Sequence, residues 1–252
     1  MISEEKTIIE FRHPLYNSAV ILKLNRPKVK NAMRPKDIHL LRDSLHRLQI
    51  DPETHIIIIT GTEDAFTSGA DINSLNELTG IEMNAFIDAQ VDMLSQIILS
   101  PKIIIAAING VTAGLGNHLV TCCDLAIAHE DAVFHFTGAS KAIPSLLMGT
   151  LLLPMTIGLK RAKAIYLRGG KIDAQQAFDY GLCNQIVSNK NWDTEIDNIA
   201  AEFNVRNSST MSHNKFQLNQ GAYQMLGALK LSGLAGAVTL SQRTNISTGK
   251  VL

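Results

Sequence analysis

The stretch Ile103-Ile104-Ile105-Ala106-Ala107-Ile108-Asn109-Gly110-Val111-Thr112-Ala113-Gly114-Leu115-Gly116-Asn117-His118 decides the fold. Its opening run, Ile103 to Ile108, is apolar without alternation, the pattern of a strand covered on both faces as in a parallel sheet. Asn109-Gly110 is a turn, and the glycines after it lead into a helix running to about Cys122. Working outward, the same pattern recurs at Ile56 to Thr60, where four consecutive isoleucines are closed by Gly61, and at Leu125 to Ala128. Between these strands the text is helical. Ile38, Leu41, Leu45 and Leu48 recur at three and four residues, so Pro35 to Gln49 reads as an amphipathic helix lying on the strand that follows. A second helix, roughly Glu82 to Leu99, is stopped by Ser100-Pro101. Strands alternating with helices in this way make a layered α/β fold.

Toward the N-terminus, Thr7 to Phe11 and Ala19 to Leu24 are β-rich and form an opening hairpin, followed by the basic loop Asn25 to Ala32. Toward the C-terminus, Asp173 with Gln176 has the form of a helix N-cap and capping box, Gly181 stands where that helix should end, and Gln185 to Val187 is strand-like. Beyond Val205 the chain becomes rich in Ser, Asn and Gly, and short helices are expected.

Composition narrows the function. The chain has 252 residues, 46% hydrophobic and 18% charged, with Lys+Arg and Asp+Glu equal at 23 each. No global charge is available to hold nucleic acid or an anionic membrane. Cys122, Cys123 and Cys183 match no zinc or disulfide spacing and read as reduced thiols in a cytoplasmic protein with no metal. The N-terminus lacks a secretory pattern, and no apolar stretch approaches the ~20 residues of a membrane span.

Two turns attract attention. Phe66-Thr67-Ser68-Gly69-Ala70-Asp71 and Asn109 to His118 each follow a buried strand and precede a helix, so their backbone N–H groups are expected to lack partners. Two such turns could hold one oxygen between them; the bland alternative is a pair of tight connections. A dinucleotide loop at Gly114-x-Gly116 fails on context, because Leu119 occupies the third glycine position and no acidic residue ends a second strand.

In their order and spacing these pieces resemble the crotonase superfamily, the enoyl-CoA hydratase/isomerase family. The resemblance rests on Leu24-Asn25-Arg26-Pro27 with Asn31-Ala32, Ile59-Thr60-Gly61, Phe66 to Asp71 and Ile105 to Gly110. It continues through Cys123 to Ala128, Gly158, Ala174 to Ala177 and Gly181-Leu182. It implies a spiral of ββα turns over residues 1–190 and a C-terminal helical oligomerisation region over 191–252, assembled as a homotrimer or a dimer of trimers. It also implies an acyl-CoA or related thioester as substrate, no separate cofactor, and a thioester carbonyl bound by the backbone N–H groups of Ala70 and Leu115. Lys28, Lys30, Asn31 and Ala32 would line the coenzyme A groove. Ser68, Asp71, Ile72, Gly114 and Gly138 would complete the substrate site.

The chain departs from the family's pattern at the proton-transfer positions. Hydratases of the family carry two glutamates there, and ungapped alignment from Phe134 to Gly158 places His118 and Gly138 at those positions. Glycine cannot shuttle a proton, so two-carboxylate hydration is not available in its usual form. His118, in the first turn of a helix, is expected to stay neutral and to serve as base or electrophile; a purely structural histidine is the alternative. His135, Ser140 and Lys141 are possible helpers. Cys122 and Cys123 suit small apolar packing, and Asp124 is expected to anchor the next strand. The family's Pro-Gly-x-Gly-Gly stretch falls on Ser145 to Gly149, after Pro144, making a bulkier loop. The residues point to an atypical lyase, isomerase, decarboxylase or hydrolase acting on a thioester, or else to a non-catalytic acyl-CoA-binding or scaffolding protein.

Overall fold

The computed structural model describes residues 6–136, 138, 144–145 and 148–228. Among the described residues ten strands form two sheets. The larger contains β1 (Ile8–Arg12), β2 (Ala19–Leu24), β3 (Ile56–Gly61), β5 (Ile103–Ile108), β7 (Leu125–His129) and β10 (Gln185–Val187), in that spatial order. Only the β1/β2 pair is antiparallel; every other pairing in this sheet is parallel. The smaller sheet contains β4 (Ala65–Thr67), β6 (Val111–Ala113), β8 (Val133–Phe136) and β9 (Gly170–Asp173). The pairs β3/β4, β5/β6 and β7/β8 each send one strand to the large sheet and the next to the small one. This is the expected spiral of ββα turns.

The isoleucine runs behave as a doubly covered sheet requires. Because successive side chains point to opposite faces, Ile57 and Ile59 join one core with Val20, Leu22, Leu24, Ile104 and Ile108. Ile56 and Ile58 join a second with Ala19, Ile21, Ile103, Ile105 and Ile127. The first face is covered by α1 (Pro35–Ile50) and α3 (Gly80–Leu99), the second by α8 (Trp192–Asn204) and α9 (Ser208–Leu218). The stripe Ile38, Leu41, Leu45 and Leu48 on α1 is buried as expected. Its main neighbours are α3 and β1 rather than β3 alone, which corrects the expectation of a helix lying on the following strand.

Asp173 caps α7 (Ala174–Tyr180): its carboxylate accepts from Gln176 N at 2.8 Å, and Gly181 closes the helix in the left-handed conformation. A last helical stretch covers 220–228. The C-terminal helices are bolted to the core by Lys215. Its buried Nζ donates to Ile97 O (2.9 Å), Lys102 O (2.8 Å) and Asp124 Oδ2 (2.7 Å), and Asn219 Nδ2 donates to Ile98 O at 3.1 Å. Ile97 O and Ile98 O are among the α3 carbonyls that no helical N–H can reach, so α9 and Asn219 close the end of α3. No helix among the described residues is long and apolar enough to cross a membrane.

Candidate functional site

The two glycine-bearing turns meet. The loop after β4 is laced to the loop after β2: Ser68 N donates to Lys30 O (2.8 Å), Met33 N to Gly69 O (2.8 Å) and Asp71 N to Met33 O (2.9 Å). Thr67 Oγ1 receives the Gly69 N–H at 3.0 Å and donates to Asn31 O at 2.7 Å. The expectation that this turn leaves its amides open is therefore corrected. Three of them are taken, and the Ala70 N–H is left without an acceptor in the described chain.

The second turn approaches from the small sheet. Gly114 is exposed, with φ 52° and ψ −116°, a conformation costly for any side-chain-bearing residue. It places Leu115 at the first position of α4 (Leu115–Cys122), where a backbone N–H has no helical partner. Gly69, at φ 92°, lies against it: a Cβ on Gly69 would sit 3.0 Å from Leu115 N and 2.6 Å from Ala113 O. Only bare backbone allows the loops so close. The Leu115 side chain is buried in the main core.

The neighbouring loop is held rather than open. Asn31 is 2% exposed. Its Nδ2 donates to Ala65 O at 2.7 Å, and its Oδ1 accepts from Arg26 N and Thr62 Oγ1. Its side chain is thus spent on shaping the loop, and the buried Ala32 gives its carbonyl to Arg26. Lys28 and Lys30 are exposed; Lys30 Nζ lies 3.6 Å from Asp64 Oδ2. Asp71 accepts from Arg26 Nη1 at 2.9 Å and caps α2 (Ile72–Glu77) through Ser74 N. Burial alone would raise its carboxyl, but the Arg26 guanidinium and the Ser74 N–H outweigh that and hold it below the usual range. Ile72 is exposed; Ser68 and Gly138 are half-buried.

His118 lies three residues beyond Leu115 on α4, about 4.5 Å along the axis. It is 6% exposed, and burial lowers its pKa to about 4, so the ring is neutral at pH 7. Burial, not the helix end alone, sets this. Its Nε2 is 3.2 Å from Ser145 Oγ, and its ring stacks on Tyr166 at 6.5 Å between centroids. Tyr166 shares a hydrogen bond with Ser145, and burial pushes its hydroxyl up to about 12. His118 Nδ1 is buried with no hydrogen-bond partner among the described residues. It points at Gly149, the first residue of α5 (Gly149–Ile157), where a Cβ would come within 2.2 Å of it. Gly149 is thus the space that lets the imidazole sit here.

A depressed histidine pKa costs acid stability, with the following sign. Above pH 6.5 neither state is protonated; below it the unfolded chain takes up a proton the folded chain refuses until about pH 4. Stability should fall by about 3 kcal/mol more over that window than in His118→Gln. Urea titrations at pH 7.5 and pH 4 check this, and equal losses in the two proteins would contradict a buried neutral imidazole.

The other expected residues divide. Burial raises the Cys122 and Cys123 thiols, so neither is a thiolate at neutral pH. Asp124 anchors β5 rather than the strand after it, accepting from Ile104 N at 2.7 Å. His135 accepts the Asn117 side chain on its carbonyl, while Ser140 and Lys141 lie outside the described residues. The contacts of Ser145, Tyr166 and Gly149 with His118 are not visible as spacing in the sequence.

The profile of the family described as Enoyl-CoA hydratase/isomerase matches residues 15–228. A crotonyl-CoA hydratase of Syntrophomonas wolfei is 31% identical over 202 residues, covering 80% of this chain and 78% of that protein. Among solved structures, an enoyl-CoA hydratase from Bacillus anthracis superposes with a TM-score of 0.82 at 25% identity, covering 92% of this chain and 91% of the other. An enoyl-CoA hydratase/isomerase from Mycobacterium paratuberculosis gives 0.88 at 24% identity, with 97% and 98% covered; at that identity the likeness speaks for the fold.

Proposed function

Because the chain belongs to the enoyl-CoA hydratase/isomerase family, we propose that it processes an acyl-CoA thioester whose carbonyl oxygen is held between the N–H groups of Ala70 and Leu115. The observation that carries this reading is the pair of main-chain amides, Ala70 and Leu115, for which no acceptor is found among the described residues, on two loops packed backbone to backbone at Gly69 and Leu115. Donors fixed by the fold need no reorganisation when charge develops on the oxygen, and each is worth about 2.7–4 kcal/mol to an oxyanion. An enolate and a tetrahedral adduct both place negative charge on that atom, so the arrangement serves several reactions.

The groups that move protons differ from a carboxylate pair. Gly138 offers none, and His118 offers a neutral imidazole bonded to Ser145. Water addition assisted by two carboxylates is therefore disfavoured, whereas decarboxylation and thioester hydrolysis need fewer proton carriers. In this reading the exposed Lys28 and Lys30 meet the phosphates of coenzyme A, and the inward-facing Asn31 holds the loop that carries them.

A panel of saturated, unsaturated and malonyl-type CoA thioesters, including crotonyl-CoA hydration, tests the reading. Wild type should turn over at least one member, and His118→Ala should lose 10²–10⁴-fold, the scale of a lost acid–base group, or about 3–5 kcal/mol. An unchanged rate would remove His118 from the mechanism. Stabilisation by the thioesters without any turnover would favour the non-catalytic binder.

A further inference from the structure

We propose that Ser145 is a nucleophile at this site and that, with His118, it hydrolyses the thioester through an acyl-serine. The inference rests on the acyl-CoA reading above and deepens it to a reaction.

Three observations carry it. Ser145 Oγ lies 3.2 Å from His118 Nε2, within reach of proton transfer on small closure of the site. Tyr166 flanks the pair, hydrogen-bonded to Ser145 and stacked on the imidazole, which fixes both side chains. His118 stands less than one turn from Leu115, so the Ser145–His118 pair and the proposed oxygen site share the N-terminal half of α4. Ser145 has one proton to share between Tyr166 and His118, and the pair acts as nucleophile and base in the tautomer whose Nδ1 carries the proton and whose Nε2 accepts from Oγ. Among the described residues no carboxylate is bonded to His118, so the pair lacks an orienting acid, and its turnover should be slow beside that of a full triad.

The steps balance without any added oxidant or metal. Ser145 Oγ forms a bond to the thioester carbon as its proton passes to His118 Nε2, and the resulting oxyanion faces the Ala70 and Leu115 amides. Collapse breaks the C–S bond, and the departing thiolate takes the proton from His118. Water then attacks the acyl-serine, giving a proton to His118 and, on collapse, a carboxylic acid; the proton returns to Ser145. The net change is thioester plus water to carboxylic acid plus thiol.

The test measures thiol release from the CoA panel, together with thermal stabilisation by an acyl-CoA thioether that cannot be cleaved. Expected results are thiol release by wild type, a fall on the order of 10²–10⁴-fold in Ser145→Ala with the thioether shift retained, and an acyl mass on residue 145 in wild type or in Ser145→Cys after acid quench. The thioether binding without thiol release, release unchanged in Ser145→Ala, or no acyl mass on either protein would overturn the acyl-serine while leaving the acyl-CoA reading in place. Failure of the thioether to bind would overturn both.

Discussion

Leu115→Pro should lower kcat/KM by about 10²–10³-fold on whichever acyl-CoA the wild-type protein turns over, while the protein stays folded. Leu115 is the first residue of α4, a position where proline is well tolerated because the missing N–H bonds nothing within the helix. The preceding residue is the usual obstacle, since proline drives its neighbour out of the helical region. Gly114 is already outside it, at φ 52° and ψ −116°, the mirror image of an extended conformation that only glycine adopts freely. The substitution therefore deletes the N–H proposed to bind the oxygen, with little change of backbone. It also removes a buried isobutyl group, and Leu115→Ala controls for that loss because it keeps the N–H. If the two variants have the same kcat/KM, the Leu115 amide plays no part in the chemistry.

The largest effect on stability is expected at Lys215→Met, about 3–5 kcal/mol. The ammonium has three protons and three buried acceptors: Ile97 O, Lys102 O and Asp124 Oδ2. Burial lowers the Lys215 pKa and raises that of Asp124, while each charge opposes the shift of the other. A methionine of similar length fills the space but takes the ammonium from two carbonyls and leaves the Asp124 carboxylate, still bonded by Ile104 N, without its counter-charge. Adding Asp124→Asn should restore about 1–3 kcal/mol, because the uncompensated charge is then gone and Ile104 N still finds an acceptor. Urea unfolding of the three proteins reads both numbers. A loss under about 0.5 kcal/mol in Lys215→Met would mean that the C-terminal helices are not held by this pair.

Much of the scaffold was legible in the sequence because its signals are local. The isoleucine runs of β3 and β5 report double burial, the stripe from Ile38 to Leu48 reports a helix, and Asp173 with Gln176 reports a cap. The small sheet was not legible residue by residue: β4 and β6 are three residues long, too short to establish an alternation, and only the family resemblance implied them. Lys215 escaped notice because it lies in a Ser- and Asn-rich segment that reads as surface, and its burial follows from acceptors 91 to 118 residues away. The site was half legible. The two turns can be read from glycines after strands, but which amide stays free depends on pairing with the loop around Lys30 and Met33. His118 was visible as a departure from the family pattern, whereas its partners Ser145 and Tyr166 come from distant segments brought together by tertiary packing. Its neutrality was expected from a helix end; burial is the larger cause.

The most direct test of the oxygen site is isotope-edited infrared difference spectroscopy on the protein with an acyl-CoA carrying ¹³C at the thioester carbonyl. Two amides donating to that oxygen should weaken the C=O bond and move its stretch to lower frequency on binding, with a smaller displacement in Leu115→Pro. A bound thioester whose carbonyl vibrates as it does free in water would contradict the account.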